Sequence, residues 1–343
     1  MKKRHVMAIL LAAALVLSGC SQSPAPPEEP ADAEVLPEEP EQVEDIEPAL
    51  LVMASFYPYY DMARKIGGEL VEVNQMVPDG VDPHSYEPSP RDLIQLEESH
   101  VFIYNGLEME IWLEGALYLL EDSEARLIEA GELVELLPFG GNDDDHDHGH
   151  DHDHDHDHDD DDDDHHHGDW DPHIWTDPMN MKTIAGELAA ILSDLDPANA
   201  SVYQENYDTY AAAIDELDEA LKSLAENADQ KIMLVSHSAF GYLAERYGFR
   251  EIAVAGVNPH AEPNPGRLAE LVRLAREYEL EYIFFETLAN PRTAEVLANE
   301  AGLTPLMLQN LEGLTQEQRD AGEDYFSLMH ENISTLRQAM VKE

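Results

Sequence analysis

Seventeen histidines stand in a chain of 343 residues that has a single cysteine, and they fall into two chemically different groups. Ten of them, His146, His148, His150, His152, His154, His156, His158, His165, His166 and His167, lie in residues 143–169 together with 15 Asp. Alternating imidazole and carboxylate offers many borderline ligands, and almost nothing in the segment is apolar. It therefore cannot offset its own ordering entropy, which predicts a mobile insert suited to loose, multi-site capture of Zn2+ or a similar ion. Such capture weakens as the imidazoles protonate near pH ~6.5. A solubilising acidic tract is the blander reading, but solubility requires no histidine.

Of the remaining histidines, three occupy distinctive local contexts. His84 lies in the turn-rich Val81-Asp82-Pro83-His84-Ser85-Tyr86-Glu87-Pro88, and His173 lies in Asp171-Pro172-His173-Ile174-Trp175-Thr176-Asp177-Pro178, directly behind the insert. His237 closes an apolar run in Val235-Ser236-His237-Ser238-Ala239-Phe240-Gly241-Tyr242. Three imidazoles suit Zn2+ and tolerate other borderline divalent ions. Asp171 and Asp177 flank His173 and are candidates to orient ligands. His260 sits on a loop near the same region, His100 and His330 read as surface residues, and His5 belongs to the leader. Trp175, Phe240 and Tyr242 read as packing residues.

The elements that must position these histidines alternate short apolar runs with longer helical periodicity. That pattern predicts βα units and mainly parallel sheets. Strand candidates are 50–56, 71–77, 101–105 and 126–130 in one half, and 231–236, 251–256, 281–286 and 305–309 in the other. Helices are predicted to open at Ser89-Pro90 and at Asn264-Pro265, where a capping residue precedes proline at the first helical position. Between the halves lie helical stretches over 179–195 and 198–227, the second about 45 Å long. The expected fold class is thus α/β: two lobes, each a mainly parallel sheet flanked by helices and large enough for its own core, joined by one long rigid helix. In open α/β sheets, ligands bind beyond the carboxyl ends of strands. His84 and His237 fall at such ends in different halves, which puts the metal site in the interlobe cleft.

The leader and the charge bound the surroundings. Lys2-Lys3-Arg4, an apolar run over residues 6–17 and Leu17-Ser18-Gly19-Cys20 read as a secretory signal too short to span a bilayer. Its end resembles the bacterial lipobox, whose cysteine is diacylated, so Cys20 is the expected lipidation site and the membrane anchor. Residues 21–48, rich in Pro and Glu, are expected to form an extended acidic tether. The expected domains are 1–20 signal peptide, 21–48 tether, 49–197 N-terminal lobe, 198–228 linking helix and 229–343 C-terminal lobe. A formal charge of −54 makes nucleic acid a poor partner, and one cysteine rules out a disulfide framework or a cysteine-based zinc ribbon.

Over residues 50–343 the sequence resembles the metal-binding lipoproteins of bacterial ABC importers for zinc and manganese. The resemblance is carried by Ser55-Phe56-Tyr57-Pro58, the motifs around His84, His173 and His237, and Leu311-Glu312-Gly313-Leu314 followed by Gly322-Glu323-Asp324-Tyr325. The acidic His-rich insert is similar to that of zinc-type members. The resemblance implies an extracytoplasmic protein, on the outer face or in a periplasm, that binds metal between two lobes. It implies four ligands, His84, His173, His237 and Glu312, with Glu286 as the alternative fourth. It also implies delivery to a permease that works with a cytoplasmic ATPase, and a monomeric state. Histidine rather than glutamate at 237 favours Zn2+ over Mn2+.

Two other classes compete with this one. A secreted zinc hydrolase could use three histidines and a water, but the chain has neither H-E-x-x-H nor G-x-S-x-G, and no enzymatic activity is expected. An extracellular metal-buffering or adhesion lipoprotein would make the insert itself the function.

Overall fold

The computed structural model describes residues 48, 50–139, 170–256, 264–287 and 292–342. The leader with Cys20, the tether, the His/Asp-rich insert and His260 lie outside the described residues. The first half runs β1 (Leu50–Ala54), α1 (Tyr57–Gly67), β2 (Val71–Gln75), α2 (Pro90–Glu97), β3 (Val101–Tyr104), α3 (Leu113–Leu120) and β4 (Arg126–Glu129). Helices α4 (Pro178–Leu195) and α5 (Ala200–Asn227) follow. The second half runs β5 (Ile232–His237), α6 (Gly241–Tyr247), β6 (Arg250–Ala255), α7 (Pro265–Glu277), β7 (Tyr282–Phe285), α8 (Arg292–Ala301) and β8 (Thr304–Met307), then α9 (Gln316–Ala321) and α10 (Tyr325–Met340).

Each half contributes a four-stranded sheet with the same layout, β2-β1-β3-β4 and β6-β5-β7-β8. Every strand pair in both sheets is parallel. Strands β1 and β3 read as near-continuous apolar runs because helices cover both their faces. In each sheet the strand order reverses beside the first strand, between β1 and β3 and between β5 and β7. The carboxyl ends there open a crevice.

Local chemistry sets the helix starts. Ser89 caps α2 in a reciprocal pair with Asp92, and Asn264 caps α7 through the backbone N–H of Arg267. Both helices carry proline at the first position, where its missing N–H costs nothing. Asp177 caps α4, Thr315 caps α9 and Asp324 caps α10 in the same manner.

Helix α5, 28 residues long, does not act as a lone strut between two separately packed lobes. It packs against α4, α1, α10 and α6. A single core then runs from Val52, Tyr59 and Ile66 through Leu188, Tyr203 and Leu217 to Met233, Phe240 and Leu336. Two smaller cores fill the outer faces, one between the second sheet, α7 and α8, the other between the first sheet, α2 and α3. Pattern-based reading anticipates separate cores because periodicity reports which face of a helix is apolar, not which partner covers it.

The last helix also shapes the loop that follows β8. Asn332 of α10 is buried and accepts from the Gln309 backbone N–H at 2.7 Å while its amide donates to the Gln309 carbonyl at 2.7 Å. It thus substitutes for a neighbouring strand at the point where β8 has ended. Asn332→Ala leaves two buried backbone groups unpaired and is expected to lower unfolding free energy by about 2–4 kcal/mol, measured as a reduced urea midpoint at unchanged m-value.

Candidate metal centre

The tripeptide Asp-Pro-His occurs twice, and both copies make the same local hydrogen bond. Asp82 accepts from the His84 backbone N–H at 2.9 Å, and Asp171 accepts from that of His173 at 2.9 Å. The proline between them pre-sets φ for the tight turn, so each histidine is presented from a short, capped bend. The third histidine, His237, is the last residue of β5, paired in register with Ala255 of β6.

These three side chains meet. One ring nitrogen of each of His84, His173 and His237 lies within 4.8 Å of the others, and the Nε2 atoms of His84 and His173 are 3.4 Å apart. His173 is 0% exposed and His237 1%, whereas the His84 side chain keeps 12% exposure. The cluster therefore has two dry imidazoles and one at its mouth.

Carboxylates hold the two buried rings. Asp171 Oδ1 lies 2.8 Å from His173 Nδ1. Glu286, directly after β7, pairs with His237 Nδ1. Each contact engages Nδ1, the arrangement that orients a metal-ligating imidazole. His237 Nε2 has no hydrogen-bond partner among the described residues. Burial lowers the His173 pKa against the opposing pull of Asp171. Burial acts the same way on His237, but Glu286, Glu312 and Glu251 outweigh it and raise that group to about 9.

Glu286 is consequently not placed as a fourth ligand. Its Oε1 accepts from Ser236 Oγ at 2.6 Å and from the His237 backbone N–H at 3.3 Å, and its Oε2 accepts from Asn310 Nδ2 at 3.2 Å. Both oxygens are committed to holding the second sheet's crevice together. Glu312, 2% exposed, has an Oε2 with no hydrogen-bond partner among the described residues. That oxygen stands 3.7 Å from His84 Nε2, within ion-pair reach. Burial pushes the Glu312 carboxyl up to about 7. Glu312 groups with Asp82 and His84, not with the full set of three histidines, so the expected four ligands are close but not assembled around one point. Leu311 directly before it is buried and adopts φ +64, a left-handed conformation that costs a non-glycine residue about 1–2 kcal/mol.

Hydrogen bonds from both halves fix the intervening segments. Asn105, at the end of β3, donates to the Pro172 carbonyl at 2.9 Å and accepts from Tyr59 Oη at 2.5 Å. Buried Glu110, raised to about 7 by desolvation, accepts from the N–H groups of Asn105 and Gly106. Tyr242 donates to the Asp171 carbonyl at 2.8 Å, and Trp175 Nε1 donates to the Asn310 carbonyl at 2.7 Å. Glu251 anchors the β5–α6 turn by accepting from Ala239 and Phe240.

Of the flanking acids, Asp171 orients His173 as expected. Asp177 instead caps α4 through Met179 and pairs with Arg246, because its position at a helix start claims its oxygens. His100 accepts from the Leu51 backbone N–H at its exposed site, and His330 is exposed on α10. Among the described residues, the roles that sequence reasoning missed include those of Glu251, Asn105 and Tyr242. A buried polar residue inside an apolar run was the available signal for Glu251; the other two carry no local signal.

Two all-parallel sheets with a buried three-histidine cluster beyond their carboxyl ends define a metal-binding α/β protein. The family model described as ZnuA, zinc-uptake complex component A, periplasmic, matches residues 52–339, and the chain belongs to that family. The high-affinity zinc uptake system protein ZnuA of Bacillus subtilis is 32% identical over 292 residues, covering 85% of this chain and 88% of that protein. The zinc-binding lipoprotein AdcA of Streptococcus pneumoniae is 32% identical over 294 residues, 86% of this chain, and the chain spans 56% of its length. The crystal structure of the Zn(II)-bound ZnuA-like domain of AdcA superposes with a TM-score of 0.70 at 30% identity, covering 85% of this chain and 99% of that one.

A Cβ added at Gly241 would stand 2.5 Å from Asp171 Oδ2, so glycine there lets the carboxylate reach His173. Gly241→Ala is expected to displace Asp171 and weaken metal affinity about 10- to 100-fold in a competitive titration, with little change in far-UV dichroism.

Proposed function

We propose that this protein captures Zn2+ outside the cytoplasm and delivers it to an ABC permease driven by a cytoplasmic ATPase. The observation that carries this reading is the convergence of His84, His173 and His237, two of them dry and each backed by a carboxylate. We assign His84, His173, His237 and Glu312 as the ligands. Three imidazoles and one carboxylate make a tetrahedral N/O set that suits Zn2+, and imidazole at 237 disfavours Mn2+, which prefers oxygen. The zinc-uptake and zinc-binding names of the relatives agree with that chemistry.

Binding rather than turnover is the task of this site, since a catalytic zinc keeps an open coordination position beside a general base, and here Glu312 stands ready to close it. Cys20 carries the lipid, residues 21–48 serve as tether, residues 49–197 and 229–343 are the two lobes, and 198–228 links them. The protein acts as a monomer at the membrane surface. The insert at 143–169 concentrates Zn2+ by loose capture and is accessory to the tight site.

Elemental analysis and competitive titration of the soluble form lacking the lipid, with and without residues 143–168, test this. The loop-deleted form is expected to keep one tightly held Zn2+, and His237→Ala to weaken it about a hundredfold or more. Tight binding that vanishes with the loop and ignores His237→Ala would make the protein a metal buffer instead.

Proton competition follows from the raised groups. His237 gives up its proton to bind Zn2+ at any pH below about 9, and Glu312 does so below about 7. Apparent affinity is expected to rise about tenfold per pH unit between pH 7 and 9 and more steeply below pH 7. Calorimetry in buffers of different ionisation enthalpy measures the protons released.

A further inference from the structure

We propose that Asp82, His84 and Glu312 form an outer divalent-cation site, a vestibule through which the metal enters and leaves the three-histidine cluster. This rests on the zinc-site reading above and adds a stage to it.

Ligand atoms of Asp82, His84 and Glu312 lie within 4.8 Å of one another, forming a second triad that overlaps the histidine triad only at His84. The two triads differ in depth. Asp82 and His84 are partly exposed, whereas His173 and His237 are buried. Glu312 is the inner wall of the outer triad, and its buried Oε2 has no hydrogen-bond partner among the described residues while facing His84 at 3.7 Å. Leaving such an oxygen unmatched is costly unless a cation completes it.

The two Asp-Pro-His turns sharpen the contrast. Asp171 spends its carboxylate on the ring of its own histidine at 2.8 Å. Asp82 holds the His84 backbone N–H at 2.9 Å and Ser85 Oγ at 3.1 Å, and it is partly exposed within reach of buried Glu312. An ion arriving from solvent meets two carboxylates and one imidazole there. It then exchanges Asp82 for His173 and His237 while His84 remains bound. Stepwise exchange avoids stripping the ion of all ligands at once, the costly part of moving a divalent cation into a dry site.

Asp82→Asn keeps a side-chain oxygen for the His84 N–H and removes the charged ligand, so it tests the role without breaking the turn. Stopped-flow tryptophan fluorescence of the full-length soluble protein with Zn2+ alone follows filling, since Trp175 lies against His173 at a ring-centroid distance of 5.2 Å. The phase that disappears in His237→Ala is the inner-site phase. In Asp82→Asn that phase is expected to slow about tenfold, and release to a strong chelator to slow with it, so that affinity shifts by less than either rate. An unchanged association rate, or a loss confined to faster release, overturns the vestibule.

A second measurement separates ligation from simple charge steering. The His173→Ala/His237→Ala double variant is expected to retain a weak Co2+ site, seen in the visible difference spectrum against the same protein carrying Asp82→Asn with an identical insert. No difference overturns the proposal. If His237→Ala removes no phase at all, the zinc-site reading itself fails, whatever Asp82→Asn does.

Discussion

Negative charge buried without a matching fixed cation is the constraint on which this structure turns. Asp171, Glu251, Glu286 and Glu312 are each at most 8% exposed, and all four feed the electrostatics of two histidines. Taking carboxylates out of water is tolerated only when each is paired or hydrogen-bonded. Three of them are satisfied, by imidazole, hydroxyl and backbone donors. Glu312 is left with an unmatched oxygen beside His84. The scaffold, and not the imidazoles alone, therefore sets the electrostatics of the histidine cluster.

Meeting that constraint requires parts from both halves. The repeated strand order creates two crevices, and the residues closing them are Asn105 after β3 and Glu286 after β7. Cross-links such as Asn105 to Pro172, Trp175 to Asn310 and Tyr325 to the Trp175 carbonyl tie the ligand-bearing segments to one another. Behind them, the layer of α1, α4, α5 and α10 shares one core with both sheets. A wide hinge motion would open that core and expose large buried aromatics such as Trp175 and Tyr325, which bond across the halves and are each worth roughly 2–3 kcal/mol.

Release of metal is therefore better served by loops than by lobes. The segment holding Asp82 and His84 meets the segment after Glu312 through a backbone bond from Gly80 N–H to the Leu314 carbonyl and through the Asp79–Arg319 pair. These ties lie near solvent, where opening costs little compared with the core. The left-handed Leu311 adds strain at the same place.

The amino-acid pattern alone determined the strands, all eight within two or three residues, because apolar runs bounded by turn chemistry report burial directly. It determined the helix starts at Ser89-Pro90 and Asn264-Pro265, because capping is a local interaction. It also singled out His84, His173 and His237, through motifs in which Asp-Pro or a strand end fixes each histidine's setting. Tertiary structure alone decided which acids serve which histidine. Along the chain Glu312 is the expected fourth ligand and Glu286 the alternative, but nothing local shows that one holds a ring and the other keeps an unmatched oxygen, since that depends on neighbours 24 to 50 residues away. The same holds for the shared core and for Asn332, which completes the loop after β8. Long-range packing decides these partners, and no local spacing encodes it.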